Sequence, residues 1–317
     1  MNLPFDILGL GAVAVDELIY VAAYPMPNSK VRILGRDRQC GGLTATALVA
    51  AARLGCSCAY AGTVGTDEAS DFALAAMARE GVCVEPAGRR AERAVHRSII
   101  LVDQSGRRTL LSDNRNVRSA DDSWPEEGVI RRCKVLFVDH SSIADMIRPS
   151  RIARLAGIPV VADIERGQAP YTDELLPLID HLIVPQHFAY AATGRDEPDR
   201  AAASLWTPGR QAVVVTCGEN GSWFLGPDAI PIHYKAFRVP AVDTTGCGDV
   251  FHGAYAAGLI WRLDLAGRVR LASAAAAIKA TRRGGQAGCP TRVEVEDFLA
   301  KNQGAMICTS RGSIPRR

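Results

Sequence analysis

The sequence predicts an α/β fold: a doubly wound, mainly parallel sheet between helical layers, with a small β layer over one edge. Three observations carry this. Apolar runs of strand length alternate with helical segments along most of the chain. Those runs are apolar throughout rather than at every second residue, as in strands covered on both faces. Two segments, roughly 15–39 and 96–113, interrupt the alternation with hairpin-like patterns.

FDILGLGAV (5–13) is the first apolar run, and VDELIYVAAYP continues it with a looser alternation that ends at Pro25 and Pro27. VRILGRDRQ (31–39) alternates, so a half-exposed strand pair is expected. GGLTATALVAAARLG (41–55) opens on glycines, is rich in alanine and closes on Gly55, a helix pattern. CAYAGTVG (58–65) reads as a buried strand, and DEASDFALAAMAREG (67–81) as a helix with acids in its first turn. HRSIILVDQSGRRTLLSD (96–113) reads as a hairpin turning at 103–106. Strands at 135–139, 158–164, 180–185 and 211–218 then alternate with helices near 145–156 and 187–193. A small-residue helix is expected over 250–260.

The 317 residues suffice for one large α/β domain over 1–303, with the β segments inserted and a basic, breaker-rich tail at 304–317 expected to be flexible. Hydrophobic residues make up 48% and charged residues 22%, an ordinary soluble composition. A net charge of +3 with scattered basic residues points to no nucleic-acid stripe and no membrane patch. No apolar run approaches the roughly 20 residues of a membrane span, and the N-terminus lacks a signal-peptide pattern. Nine cysteines without repeated spacing fit a reduced, cytoplasmic location. The six histidines show no metal spacing.

DTTGCGD (243–249) carries the chemistry. Amides of a Gly-x-Gly turn at a helix N-terminus converge on an anion, helped by the helix dipole. Asp249 conflicts with a phosphate there unless it takes a proton from an attacking hydroxyl, the role of the acid in phosphoryl transfer. The alternative on the turn alone is a capping aspartate. GLGAVA (9–14) also satisfies G-x-G-x-x-A, a dinucleotide fingerprint that would make the chain an oxidoreductase. That fingerprint needs a helix at the second glycine and an acid about 20 residues on, where Ile33-Leu34-Gly35 stand. No G-x-x-x-x-G-K-[ST] is present, which excludes a P-loop kinase.

DTTGCGDVFHGAYAAGL resembles the C-terminal signature of the ribokinase/PfkB carbohydrate-kinase family, and GGLTATALVAAARLG resembles its N-terminal one. VVVTCGENGSWF, AAIKATRRGGQAGCP and GLGAVAVDELIYV resemble three further family segments, in the right order over essentially the whole chain. The resemblance implies a ribokinase-like three-layer α/β/α fold with a β-sheet lid, and an ATP-dependent kinase acting on a hydroxymethyl group of a sugar or sugar-like molecule. By the same resemblance Asp249 is the base, and the amides of Gly246, Cys247 and Gly248 form the anion hole. Asp16 binds sugar hydroxyls, Gly41 and Gly42 form the lid hinge, and Thr216, Gly218, Gly221, Lys279 and Gly285 serve the nucleotide. Mg2+ accompanies ATP, Asp243 and Thr245 match positions that hold a potassium-like ion in relatives, and the lid pairs two copies in a homodimer.

Four positions depart from the family pattern. Thr46 replaces the asparagine of the N-terminal signature, and Cys247 replaces an alanine, which sets a thiol beside the phosphoryl site. Gln186 and Ala189 stand where an N-x-x-E element supporting magnesium is expected. The wording around residues 41–47, 249–254 and 281–290 resembles the sulfofructose kinase branch, which places a basic residue near Lys30. Ser112 and Ser141 stand where that branch has its anion contacts, with Arg97 and Arg115 as substitutes near the lid. A nucleoside kinase of the same family and a catalytically weak sugar or nucleoside sensor remain alternatives.

Overall fold

The computed structural model describes residues 5–104, 107–302 and 307–309. β1 (Phe5–Leu10) leaves the core at Gly11, where a Cβ would lie 2.2 Å from both Asp139 Oδ2 and Thr44 Oγ1. The chain then enters β2 (Ala14–Val21) and returns as β3 (Ile33–Gly41). No helix opens at the second glycine of GLGAVA, so the dinucleotide reading fails on its own structural requirement. Helix α1 (Leu43–Arg53) follows, with Gly42 as its N-cap. The run at 58–65 divides into β4 (Cys58–Tyr60), in the main sheet, and β5 (Thr63–Val64), which pairs with β6 (Gly88–Arg89). Between β5 and β6, α2 (Glu68–Arg79) is capped by the Asp67 side chain on the Ser70 amide.

β7 (His96–Val102) and β8 (Arg108–Asp113) form the expected antiparallel hairpin, its turn lying partly outside the described residues. A short α3 (Glu127–Ile130) precedes β9 (Cys133–Asp139), α4 (Ile143–Leu155) and β10 (Val160–Asp163). Next come α5 (Tyr171–Leu175), β11 (His181–Pro185), α6 (Gln186–Thr193), α7 (Pro198–Leu205) and β12 (Ala212–Thr216). β13 (Ser222–Leu225) and β14 (Ile232–Tyr234) lead to α8 (Cys247–Ile260), α9 (Leu265–Ala280) and α10 (Arg292–Lys301). β15 (Ile307–Thr309) closes the described chain.

Nine strands form one sheet in the order β15-β14-β13-β12-β11-β10-β9-β1-β4. It is parallel from β4 to β12 and antiparallel beyond. Successive strand residues feed two cores. Ile7, Val135, Phe137 and Val161 pack with α1, α2, α8 and α9 on one face. Leu8, Leu136, Val138 and Val160 pack with α4, α6 and α7 on the other. Both faces are covered, which is why these strands lack polar alternation. Helices α1 and α8 approach closely, because a Cβ on Gly253 would lie only 2.1 Å from the Ala47 carbonyl oxygen.

The two interrupting segments form a separate four-stranded sheet, β3-β2-β7-β8, with β2 and β7 joined in parallel. This is the expected β layer. Of the flexible tail expected over 304–317, residues 307–309 pair with β14 as a strand, and the remainder lies outside the described residues. The edge of β14 supplies the unpaired backbone groups that draw this strand in.

Candidate active site

The parallel strands β1, β9, β10 and β12 end near Gly11, Asp139, Asp163 and Thr216, the edge at which open α/β sheets bind ligands. Asp139 anchors this edge. Its Oδ2 accepts from the Ala12 amide at 2.7 Å, the Thr44 amide at 3.2 Å and Thr44 Oγ1 at 2.7 Å, while Oδ1 accepts from the Ser141 amide at 2.8 Å. One buried carboxylate thereby ties β9 to the start of α1 and to the approach into the lid.

Gly246 has φ 76° and acts as the N-cap of α8, so this helix opens three residues earlier than expected. The left-handed turn there is open to glycine and costly for other residues. The Cys247 amide donates to the Thr244 carbonyl at 3.2 Å, and the Val250 amide to the Gly246 carbonyl at 2.9 Å. The open amides of the turn are therefore those of Gly246, Gly248 and Asp249, a shift from the expected set that included Cys247. A Cβ at Gly246 would lie 3.3 Å from Gly285 Cα, 3.5 Å from Thr46 Cγ2 and 3.7 Å from Asp249 Oδ2. Thr46, Gly246, Asp249 and Gly285 thus meet at one point, although they are far apart in sequence.

Burial pushes the Asp249 carboxyl well above its ordinary range, and the nearby Asp163 carboxylate adds to this. The opposing influence is His252, whose Nδ1 faces the Gly248 carbonyl at 2.7 Å and whose Nε2 faces the Ile183 carbonyl at 3.3 Å. Asp163 is itself raised well above its usual value by burial, then by Glu165 and Asp139. Its Oδ2 lies 3.4 Å from His252 Nδ1, and neither carboxylate oxygen has a hydrogen-bond partner among the described residues. Asp139, Asp163 and Glu165 escaped the sequence reading, whereas His252 is the local hydrogen-bonding residue its place on the helix after Asp249 suggests. The DIERG (163–167) that begins at the end of a buried strand was the available signal for Asp163 and Glu165.

A cavity of about 530 Å³ is lined by Thr216, Gly218 and Gly221 on the β12–β13 connection and by Cys247 and Gly248 of α8. Phe237, Val239, Ala276 and Ala277 give it an apolar wall. The expected nucleotide residues Thr216, Gly218 and Gly221 are thus brought together beside the open amides. Burial raises the Cys247 thiol in this wall, against the pull of Lys279.

Lys279 and Gly285 sit elsewhere than expected. Gly285 packs against the Gly246 turn and does not line the cavity. Lys279 is fully buried, with Nζ donating to the carbonyls of Asp243 at 2.7 Å and Arg282 at 3.2 Å. Asp243 accepts from the Thr245 amide at 2.9 Å and the Gly284 amide at 2.9 Å. Burial works against its carboxylate, yet these donors and Lys279 hold it below its ordinary range. The expected potassium-like ion does not fit this loop, because the lysine ammonium already faces the oxygens of Asp243.

On the lid, Asp16 is paired across strands with Gln39 and Ser98, and Ser98 with Ser112. These four share one face. That face meets the 279–285 turn, since a Cβ at Gly284 would lie 3.5 Å from Gln39 Oε1. Burial raises the Asp16 carboxyl, and a hydrogen bond from Ser98 opposes it. A Cβ at Gly41 would come within 2.7 Å of Asp16 Oδ2, and one at Gly42, with φ 98°, within 2.5 Å of the Ala12 carbonyl oxygen. Arg97 belongs to the opposite face, ion-paired with Asp67, the cap of α2. Lys30 is exposed on the β2–β3 connection, and Arg115 pairs with Asp113 at 2.7 Å. The sulfonate-directed expectation for these three basic residues therefore lacks a converging geometry.

Among the described residues no three acids, histidines or cysteines converge as a metal cage. Gln186 opens α6 and Ala189 is buried, so no carboxylate stands at the expected magnesium-supporting element. Mg2+ bound mostly by phosphate and water needs just one or two protein carboxylates, a demand Asp163 and Glu165 can meet. No helix among the described residues is long and apolar enough to cross a membrane.

A lidded α/β sheet with a nucleotide-sized cavity and an acid beside open helix-terminal amides defines a small-molecule phosphotransferase. The model of the pfkB family carbohydrate kinases matches residues 11–292, and the chain belongs to that family. It is a carbohydrate kinase, a phosphotransferase with an alcohol acceptor. The chain is 28% identical to a ribokinase of Haemophilus influenzae over 303 residues, covering 92% of this chain and 97% of that one. Its fold is similar to that of the ribokinase of Thermotoga maritima, with TM-score 0.81, 23% identity and coverage of 93% and 99% of the two chains. The structure of an Arabidopsis thaliana ribokinase complexed with ribose and ATP is similar at TM-score 0.82 and 20% identity, with coverage of 94% and 99%. The ribokinase-like fold implied by the motifs is thus present.

Proposed function

We propose that the chain transfers the γ-phosphoryl group of ATP to a hydroxymethyl group of a sugar held between the lid and Thr46. The observation that carries this reading is the meeting of Asp249, the Gly246 turn and Thr46 at one point beside the cavity that holds the nucleotide loop. Asp249 acts as the base: its raised pKa suits a group that must accept a proton from a weakly acidic alcohol near neutral pH. The acceptor oxygen attacks the γ-phosphorus, the bond to the β–γ bridging oxygen breaks, and the hydroxyl proton passes to Asp249. The amides of Gly246, Gly248 and Asp249 stabilise the charge on the transferring group without reorganising. Asp163 and Glu165 are the side chains that would hold Mg2+ arriving with ATP, and the ion would supply neutralisation of phosphate charge there.

Asp16 takes sugar hydroxyls, with Gln39, Ser98 and Ser112 on the same lid face. Residues 1–303 act as one kinase domain, and Gly41 and Gly42 form the hinge on which the lid closes to exclude water. The lid also carries exposed Ile33, Leu34, Leu110 and Leu111, and we propose that it pairs two copies as a homodimer, testable by light scattering. The function is tested by ADP release from Mg-ATP across a panel of pentoses, hexoses, sugar phosphates, sulfonated sugars and nucleosides. Release with a sugar acceptor is expected. Release with nucleosides alone would shift the substrate class. No release with any member, beside a ligand-induced rise in melting temperature, would make the chain a sensor.

A further inference from the structure

We infer that the Lys279 ammonium serves as a built-in monovalent cation for the phosphate-facing loop, so that this chain transfers phosphoryl groups without potassium. The inference rests on the kinase reading above and concerns how the 243–249 loop is held.

Lys279 lies in the last turn of α9, where a cation is favoured by the helix dipole. Its side chain turns inward and is fully buried, which for an ammonium demands oxygen partners for its N–H groups. The partners are the carbonyls of Asp243 and Arg282, at 2.7 and 3.2 Å, and Asp243 Oδ2 at 3.9 Å. Two carbonyls and one carboxylate, drawn from two loops, are the hard oxygen donors that a free cation would seek. The stem leaves little room for another occupant, because a Cβ at Gly288 would lie 3.1 Å from Lys279 Cε.

The Asp243 side chain carries the effect onward. It accepts from the Thr245 amide, next to the Gly246 turn, and from the Gly284 amide, next to Gly285. Amides of Val242 and Asp243 both donate to the Ala280 carbonyl, at 2.7 and 3.1 Å. The ammonium thus joins the loop that presents the open amides to the turn behind it. Lys279 is a positioning residue, since it reaches the transferring phosphoryl group through Asp243 and the turn.

The test uses the full chain exchanged into tetramethylammonium chloride, with KCl or NaCl substituted at constant ionic strength. ADP release is measured with the acceptor found in the panel. For wild type, K+ should change the rate by less than about twofold once screening is held constant. Lys279→Ala should lose about tenfold to a hundredfold without K+, the scale of a lost charged hydrogen bond, and recover with K+ more than with Na+. Melting temperatures give a second readout: no K+-specific shift in wild type, and a K+-specific rise in Lys279→Ala. Lys279→Ser, which also vacates the space of the stem, stands in should the alanine variant misfold.

A wild-type rate or melting temperature raised several-fold or several degrees by K+ over Na+ overturns the inference. So does a folded Lys279 variant that keeps the wild-type rate without K+, or one that no cation restores. Failure of wild type to release ADP in any salt counts against the kinase reading, while the melting arm still decides the cation question.

Discussion

On the proposed nucleotide side of the site the groups offered to phosphate are main-chain amides at the start of α8, where Gly248 lines the cavity, held by the Gly246 turn and by Asp243 behind it. On the lid side the polar groups are side chains: Asp16, Gln39, Ser98 and Ser112, brought to one face by strand register. A backbone site needs glycines and a helix terminus, and it recognises any phosphate. A side-chain site depends on which residue stands at each register position, and it selects among sugars. Loss of a group should therefore abolish chemistry on the first side and shift substrate affinity on the second.

The largest effect is expected at the base. Asp249→Asn keeps the shape of the turn and removes proton acceptance, so kcat should fall by about 10²- to 10⁴-fold with ATP affinity retained. In wild type the acidic limb of kcat/KM should lie above the ordinary carboxylate range, because burial and Asp163 raise this group. Stability moves the other way. An acid raised in the folded state costs stability as pH climbs from its unfolded pKa, about 3.9, through its folded one. Asp249→Asn should therefore melt higher than wild type at neutral pH and alike below pH about 3.9. Retained kcat would remove Asp249 as the base.

Much of the nucleotide side was legible in the sequence for the same reason that it is insensitive to substrate. Glycines at fixed spacing before a small-residue helix specify backbone geometry locally, and DTTGCGD folds into the turn it suggests, with α8 opening at Cys247. The partners behind that turn were not legible. Lys279 sits in an alanine-rich helix, and its inward course follows from the packing of α9 against the 279–285 turn. Asp139 and Asp163 come beside the site because parallel strands end together, a long-range effect that no local pattern carries. On the lid the strands were legible by alternation, but the face each residue takes follows from the pairing of β2 with β7 across a long interval. That pairing separates Asp16 from Arg97.

Within the lid, Asp16→Ala should raise the sugar KM or lower kcat/KM by about tenfold to a hundredfold, the loss of hydrogen bonds to a charged group. The KM for ATP should stay the same, since Asp16 does not line the nucleotide cavity. Equal losses in both would mean that the variant disturbs lid closure, through Gly41 against which the carboxylate packs.

The smallest effect is expected one residue away in register. Arg97 stands on the face opposite Asp16 and pairs with Asp67, both side chains being partly exposed at 49% and 38%. An exposed pair of this kind contributes about 0–1 kcal/mol, so Arg97→Ala should lower the melting temperature slightly. Asp67 keeps its bond to the Ser70 amide without the arginine, so the cap of α2 survives. Sugar kinetics of Arg97→Ala should stay within about twofold of wild type, since the guanidinium faces α2 and not the polar lid face. A tenfold rise in sugar KM would place Arg97 at the substrate. It would also mean that the β2–β7 register, on which the whole contrast between the two lid faces depends, changes when the sugar binds.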